Sequence, residues 1–186
     1  MAKATYNGIN HGAYLTPINN CYVEIPSKDG AKRITVNALP DISDSKTATY
    51  TDENVAGRSS PYKVYGYSSV RAISFTFHFY AVDPKDFKTN LDNLRALASC
   101  AYPRDAEEGG ELPYNPPTVC KLKCGKLLAD NELCVILISY NVKFPTDVAW
   151  DEYSCVPYRF DVDTSWEVVY SSINLPGADK IIKSGG

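Results

Sequence analysis

The sequence predicts an α+β, mostly β domain: an antiparallel sheet with a single helix packed on it or at its end. Three observations carry this. Strand-like stretches, led by "RAISFTFHFYAV", lie on both sides of one helical stretch, "DPKDFKTNLDNLRALASC", and strands, helix, strands is an α+β order. Hydrophobic residues make up 44% of the 186, enough for a core, and charged residues 22%, as in ordinary globular chains. Tyrosine is in excess, 14 against 6 Phe and 2 Trp. Its ring buries area while its hydroxyl tolerates water, which suits strands and protein interfaces.

The elements follow in order along one domain, 1–186. Residues 1–31 form an N-terminal segment in which "CYVEI" is a short strand before the turn "PSKDG". "KRITVNAL" alternates, with Ile34, Val36 and Ala38 on one face. Residues from about 41 to 67 are polar and mostly lack either period, so they read as a long loop or arm. Such a stretch in a compact domain is usually functional. In "RAISFTFHFYAV", Ile73, Phe75, Phe77 and Phe79 face the core, and Ser74, Thr76, His78 and Tyr80 face away.

The helix has its start signals: Asp83 as N-cap, Pro84 at the first position and Asp86 in an acidic first turn. Phe87, Leu91, Leu94 and Ala98 form the expected buried stripe, with Leu97 beside it. "YPRDAEEGGELPYNPP" ends the helix as a loop. "TVCKLKCG" alternates. "ELCVILISYNVKF" opens as a continuous apolar run, which predicts a first half covered on both faces. In "YRFDVDTSWEVVY", Tyr158, Phe160, Val162, Thr164, Trp166 and Val168 alternate with Arg159, Asp161, Asp163, Ser165 and Glu167. A weaker strand is expected at "DEYSCVP", and a tail from about 171 to 186 carries the apolar pair Ile181–Ile182.

Little in the chain points to catalysis. His78 is a lone histidine on a polar strand face, His11 lies in the N-terminal segment, and no Gly-x-Ser-x-Gly elbow is present. Asp161 and Asp163 share a face about 7 Å apart by strand rise, a solvated or lumen-facing row rather than an acid–base pair. "RDAEEGGE" lacks the spacing of a calcium loop, and no phosphate-binding loop occurs. The reading is of a non-enzyme with no cofactor or metal. A net charge of −3 without a basic stripe gives no footprint for nucleic acid. No apolar run is long enough for a membrane span, and the first residues hold no signal-peptide core, so the chain is expected to be made and folded in cytoplasm.

Six cysteines remain: Cys21, Cys100, Cys120, Cys124, Cys134 and Cys155. They read as buried thiols, as disulfides formed after release into an oxidising medium, or as a zinc site, for which the Cys-x3-Cys spacing is a poor fit. Alternation puts Cys120, Leu122 and Cys124 on one strand face and two lysines on the other. Cys120 and Cys124 are then about 13 Å apart by strand rise, too far to bond to each other. Cys21, Cys100 and Cys155, near segment ends or loops, are the disulfide candidates.

The Gly57-Arg58-Ser59-x-Pro61 stretch, the aromatic strand anchored by Arg71, the helix with "LRALA", the Pro116-Pro117 pair entering a strand and the two late strands recur in one order over residues 39–170. In these marks the chain resembles the baseplate-proximal tube-like proteins of contractile-tailed phages, called tube initiators, hub or ripcord proteins, which are related to the tubes of contractile injection systems. The resemblance implies a tail-tube-like antiparallel β-sandwich or barrel with one flanking helix and a long interaction arm. It implies a homo-oligomeric six-fold ring, with other tail tube, hub and baseplate proteins as partners. The ring would be assembled in the host cytoplasm and carried in the virion, DNA merely passing through its lumen past a net acidic, polar face. The arm would contact neighbouring subunits through Tyr50, Arg58, Tyr62, Tyr65 and Tyr67. A disulfide could cross between subunits after release. The alternative is an aromatic-rich β-sandwich that binds carbohydrate or a host receptor.

Overall fold

The computed structural model describes residues 5–6, 9–10, 20–26, 30–36, 38–105, 114–128 and 132–170. His11, most of the 1–31 segment, the acidic stretch 106–113 and the tail from 171 lie outside the described residues. The expected class holds: the described chain is mostly antiparallel strand, with one helix of 16 residues.

The main sheet has seven strands. In chain order they are β3 (Cys21–Ile25), β4 (Lys32–Thr35), β5 (Asp41–Ser45), β8 (Ala72–Tyr80), β11 (Cys120–Cys124), β12 (Leu133–Lys143) and β13 (Arg159–Val168). Across the sheet the order is β4-β3-β11-β12-β13-β8-β5, every neighbouring pair antiparallel. Between β5 and β8 the chain leaves the sheet as a separate hairpin, β6 (Ala48–Glu53) with β7 (Tyr62–Ser68). Two short pairs complete the set: β1 (Thr5–Tyr6) with β2 (Ile9–Asn10), and β9 (Arg104–Asp105) with β10 (Tyr114–Asn115).

Period-2 patterning places the core on one face of this sheet. Ile73, Phe75, Phe77 and Phe79 of β8 pack with Phe160, Val162, Trp166 and Val168 of β13, and with Val135 and Leu137 of β12. Cys21, Val23, Ile34, Cys120 and Leu122 extend the cluster across the far strands. Trp166 is fully buried, and its indole N–H donates to Thr164 Oγ1, which in turn donates to the Phe75 carbonyl. Each buried polar atom in that chain has a partner, as a dry core requires.

The helix α1 (Pro84–Ser99) follows β8 directly. Pro84 fits the first turn, where an N–H would lack a partner anyway. The Asp86 carboxylate accepts from the N–H groups of Val82 and Asp83, closing the N-terminus. The buried stripe is rotated from the expected one. Phe87, Asn90 and Leu97 are the buried positions, Leu91 and Leu94 flank them, and Ala98 lies at the edge. Asn90 escapes a hydrophobicity count because it is buried to make a bond: its Nδ2 donates to the Tyr80 carbonyl at 3.1 Å. On the opposite side, Lys32 Nζ of edge strand β4 donates to the Asp92 carbonyl at 2.7 Å. Strands far apart in the sheet order thus both reach α1, so the sheet curves round the helix.

Three expectations are corrected here. The first half of β12 is covered on one face only: Val135 and Leu137 are buried, whereas Cys134 and Ile138 are exposed. Ile138 faces outward by the same alternation as Cys134, and it is the extra residue of a register shift between Leu137 and Ser139 that brings Tyr140 and Val142 to the core side. "DEYSCVP" forms a turn closed by a single Trp150–Pro157 bridge, not a strand, with Cys155 at a positive φ of 52°. Finally, residues 41–67 are not a loop. Their start is edge strand β5, paired with β8, and the remainder is the β6–β7 hairpin.

Candidate interaction surface

The hairpin is the most unusual surface of the chain. Every residue of β6 and β7 is exposed, on both faces of the ribbon. Its base is closed by two bonds: the Ser69 N–H donates to the Thr47 carbonyl (2.7 Å), and the Thr47 N–H to Ser69 Oγ (2.9 Å). At the tip, Gly57 takes a left-handed φ of 86° and the Arg58 N–H donates to the Val55 carbonyl.

All five expected interface residues lie on this hairpin. Tyr50, Tyr62, Tyr65 and Tyr67 are between 54% and 64% exposed, far too open for rings buried by their own chain. Cross-strand partners share a face, and the pairing changes parity along the ribbon. Tyr50 opposes Tyr65, but Thr49 opposes Tyr67, so Gly66 is the extra residue of a bulge. The bulge moves Tyr67 to the face holding Tyr62 and Val64, opposite Tyr50 and Tyr65. Tyr50 and Tyr65 meet edge to face with centroids 5.7 Å apart. Arg58 lies 4.9 Å over the Tyr62 ring, and Lys63 pairs with Asp52 at 2.6 Å. The ribbon therefore presents aromatic area on both faces, framed by charge.

The outward face of the main sheet is polar, and its charges are interleaved. Glu24 bonds Arg33 (2.9 Å) and Lys121 (3.2 Å), and Lys121 also reaches Glu132 (3.5 Å). Asp163 accepts from Lys143 (2.6 Å) and Thr76 (2.8 Å). His78 Nδ1 lies 2.6 Å from Asp161, and its Nε2 lies 3.6 Å from Asp41. Asp161 is thus hydrogen-bonded to His78 and Asp163 ion-paired with Lys143, rather than standing as a bare acidic row. The Lys143 ammonium and the Thr76 hydroxyl hold the Asp163 carboxyl below its ordinary value. Arg33 and Lys121 do the same for Glu24, and the Tyr22 hydroxyl for Glu132.

At the junction of hairpin and sheet, Arg71 is almost wholly buried. Its guanidinium makes a forked contact with the Asp44 carboxylate and donates to the Leu128 carbonyl at 2.9 Å. Asp44 keeps Arg71 firmly protonated. Sequence reasoning gave Arg71 as the anchor of its strand but could not name Asp44, because the pair forms only when β5 docks on β8.

The disulfide candidates separate. Cys21, at the start of β3, and Cys100, just past the end of α1, lie at segment ends as expected but are buried within this chain, whereas Cys155 is exposed. Cys21 faces Cys124 and Cys100 faces Cys120. Among the described residues, no group of three or more His, Cys, Asp and Glu is arranged to hold a metal ion, and no helix is long and apolar enough to cross a membrane. Comparison with known proteins gives no match, either to a family model or to a curated protein.

Proposed function

We propose that this chain is a structural, non-enzymatic subunit of a contractile phage tail. It would form a six-fold ring of the tube-initiator or ripcord type where the baseplate hub meets the tail tube. The supporting observation is the β6–β7 hairpin, solvated on both faces and carrying tyrosines on both. An isolated two-stranded ribbon is marginally stable in water, and exposed Tyr and Arg are the residue types that interfaces favour. Insertion between two neighbouring subunits would cover both aromatic faces at once. Among the described residues, β4 and β5 are the edges of the sheet, and edge strands are where sheets of adjacent subunits would join. The order of sequence marks over residues 39–170 favours the tail-tube reading over other ring proteins.

The carbohydrate-module alternative is weaker. Trp166 is buried with its N–H already bonded, which leaves the partly exposed Trp150 and, beside α1, a pocket edged by Tyr153 and Tyr158 as aromatic rings a sugar could reach.

The test is an assembly assay. The purified chain, alone and mixed with tube subunits from the same tail, is imaged by negative-stain electron microscopy and weighed by analytical ultracentrifugation. Six-fold rings, or capping of tube ends, are the expected result. A chain that stays monomeric with every tail component and instead binds glycans overturns the proposal.

A further inference from the structure

We infer that Cys21 and Cys124 are the two halves of an intrachain disulfide that staples β3 to β11 under oxidising conditions. The two residues are directly opposed in the antiparallel register. The adjacent pair is hydrogen-bonded, since the Gly125 N–H donates to the Asn20 carbonyl at 2.7 Å. Alternation along an antiparallel ladder therefore makes Cys21–Cys124 a non-hydrogen-bonded pair, with Cα atoms about 4.5 Å apart and side chains close together. That spacing falls within the disulfide range of roughly 4.4–6.8 Å. The sulfurs themselves lie 2.8 Å apart, with the Cys21 thiol donating to Cys124 Sγ.

The other cysteines are placed differently. Cys100 and Cys120 join a helix end to a strand with sulfurs 3.6 Å apart, and the Cys100 thiol donates to the Ala96 carbonyl. Cys134 and Cys155 are exposed. Cys120 and Cys124 are four residues apart on one strand, about 13 Å by strand rise, so the two buried pairs cannot close on a single zinc ion.

The bond forms by exchange with a small-molecule disulfide such as oxidised glutathione. With the strands apart either cysteine can attack first, and the bond formed is the same. Where Cys124 leads, its thiolate attacks one glutathione sulfur, and the other glutathione leaves as a thiolate. Cys21 then gives up its proton and attacks Cys124 Sγ, displacing the second glutathione. Two protein thiols are oxidised, and one glutathione disulfide becomes two glutathiones. Burial of both residues means that exchange takes place before the strands close or during their opening, and that the finished bond is shielded from reductant.

The test uses the full chain. It is unfolded with reductant, refolded in oxidised glutathione, quenched in acid, alkylated and mapped by peptide mass spectrometry. A Cys21–Cys124 cross-linked peptide, in a chain that runs as a monomer on a non-reducing gel, is expected. The link should be lost in both Cys21→Ser and Cys124→Ser, and the wild-type unfolding midpoint should fall when reductant is added. Alkylation of both Cys21 and Cys124 after refolding, or pairing of either one with a different cysteine, overturns the inference. Because the readout is a bond within one chain, the result is independent of whether the protein forms rings.

Discussion

Phe77 and Thr76 are neighbours in β8 with opposite surroundings. Phe77 is wholly buried between Phe75 and Phe79, with ring centroids at 4.7 and 6.0 Å. Thr76 is half-buried on the other face and donates to Asp163. Phe77→Ala should cost about 3–5 kcal/mol and Thr76→Ala about 1 kcal/mol for one lost hydrogen bond, read from midpoints of denaturant titrations. Equal losses would mean that both faces of β8 are covered within the subunit. Asp44 gives a second residue-scale prediction. Asp44→Ala strands a buried guanidinium, which costs about 3–5 kcal/mol where the lost partner is fully buried. Asp44 is about one-third exposed, so water can partly replace it and the loss should sit at or below the lower end of that range. A neutral result in the same titration would show that the Leu128 carbonyl and water suffice for Arg71.

The hairpin belongs to the element scale. Its base residues, Thr47 and Ser69, already meet through two hydrogen bonds, so residues 48–68 can be replaced by an Asn-Gly turn without separating β5 from β8. The excised chain should keep its strand circular dichroism and its unfolding midpoint to within about 1 kcal/mol, because no side chain of β6 or β7 is buried. It should also fail to form rings. Global unfolding of this variant would show that the ribbon supports its own domain. The outward sheet face makes a pH prediction. Glu24, Glu132 and Asp163 have carboxyls held below their ordinary values by hydrogen bonds and cations. A depressed folded-state pKa stabilises the fold above the unfolded-chain value and loses that contribution as pH falls through the folded-state value. The melting temperature should therefore drop as pH is lowered from about 7 to about 3, through and below the ordinary carboxylate range. Lys143→Met should flatten part of that drop. A melting temperature unchanged across the range would mean that these pairs do not bear on stability.

At the scale of the whole molecule, one curved sheet holds the helix on its inner side and, among the described residues, leaves a charged outer face, two strand edges and a tyrosine-bearing ribbon. These three exposed features are what an assembled ring would consume. If the ring forms, the tyrosines should be protected in it. Tetranitromethane should nitrate Tyr50, Tyr62, Tyr65 and Tyr67 rapidly in the free chain and slowly in the ring. Equal rates in both states would place the subunit contacts elsewhere.

The alternation of Ile73, Phe75, Phe77 and Phe79, and of Phe160, Val162, Thr164 and Trp166, sufficed to fix two strands and their buried faces. The reason is physical: a period of two sends alternate side chains to opposite sides whatever the partner strand. The helix was legible for the same local reason, from Asp83, Pro84 and Asp86 at its start. Polarity and tyrosine content likewise set residues 41–67 apart from the core strands, and the hairpin tyrosines there are exposed. What sequence alone left open was set by partners distant in the chain. The hairpin was hidden because a ribbon exposed on both faces has no apolar alternation to read. The bulge at Ile138 reverses parity through a register chosen by β13. Asp44 reaches Arg71, and Cys21 reaches Cys124, only through strand docking across 27 and 103 residues of chain. Local pattern decides which way a side chain points, and only the folded sheet decides what it meets.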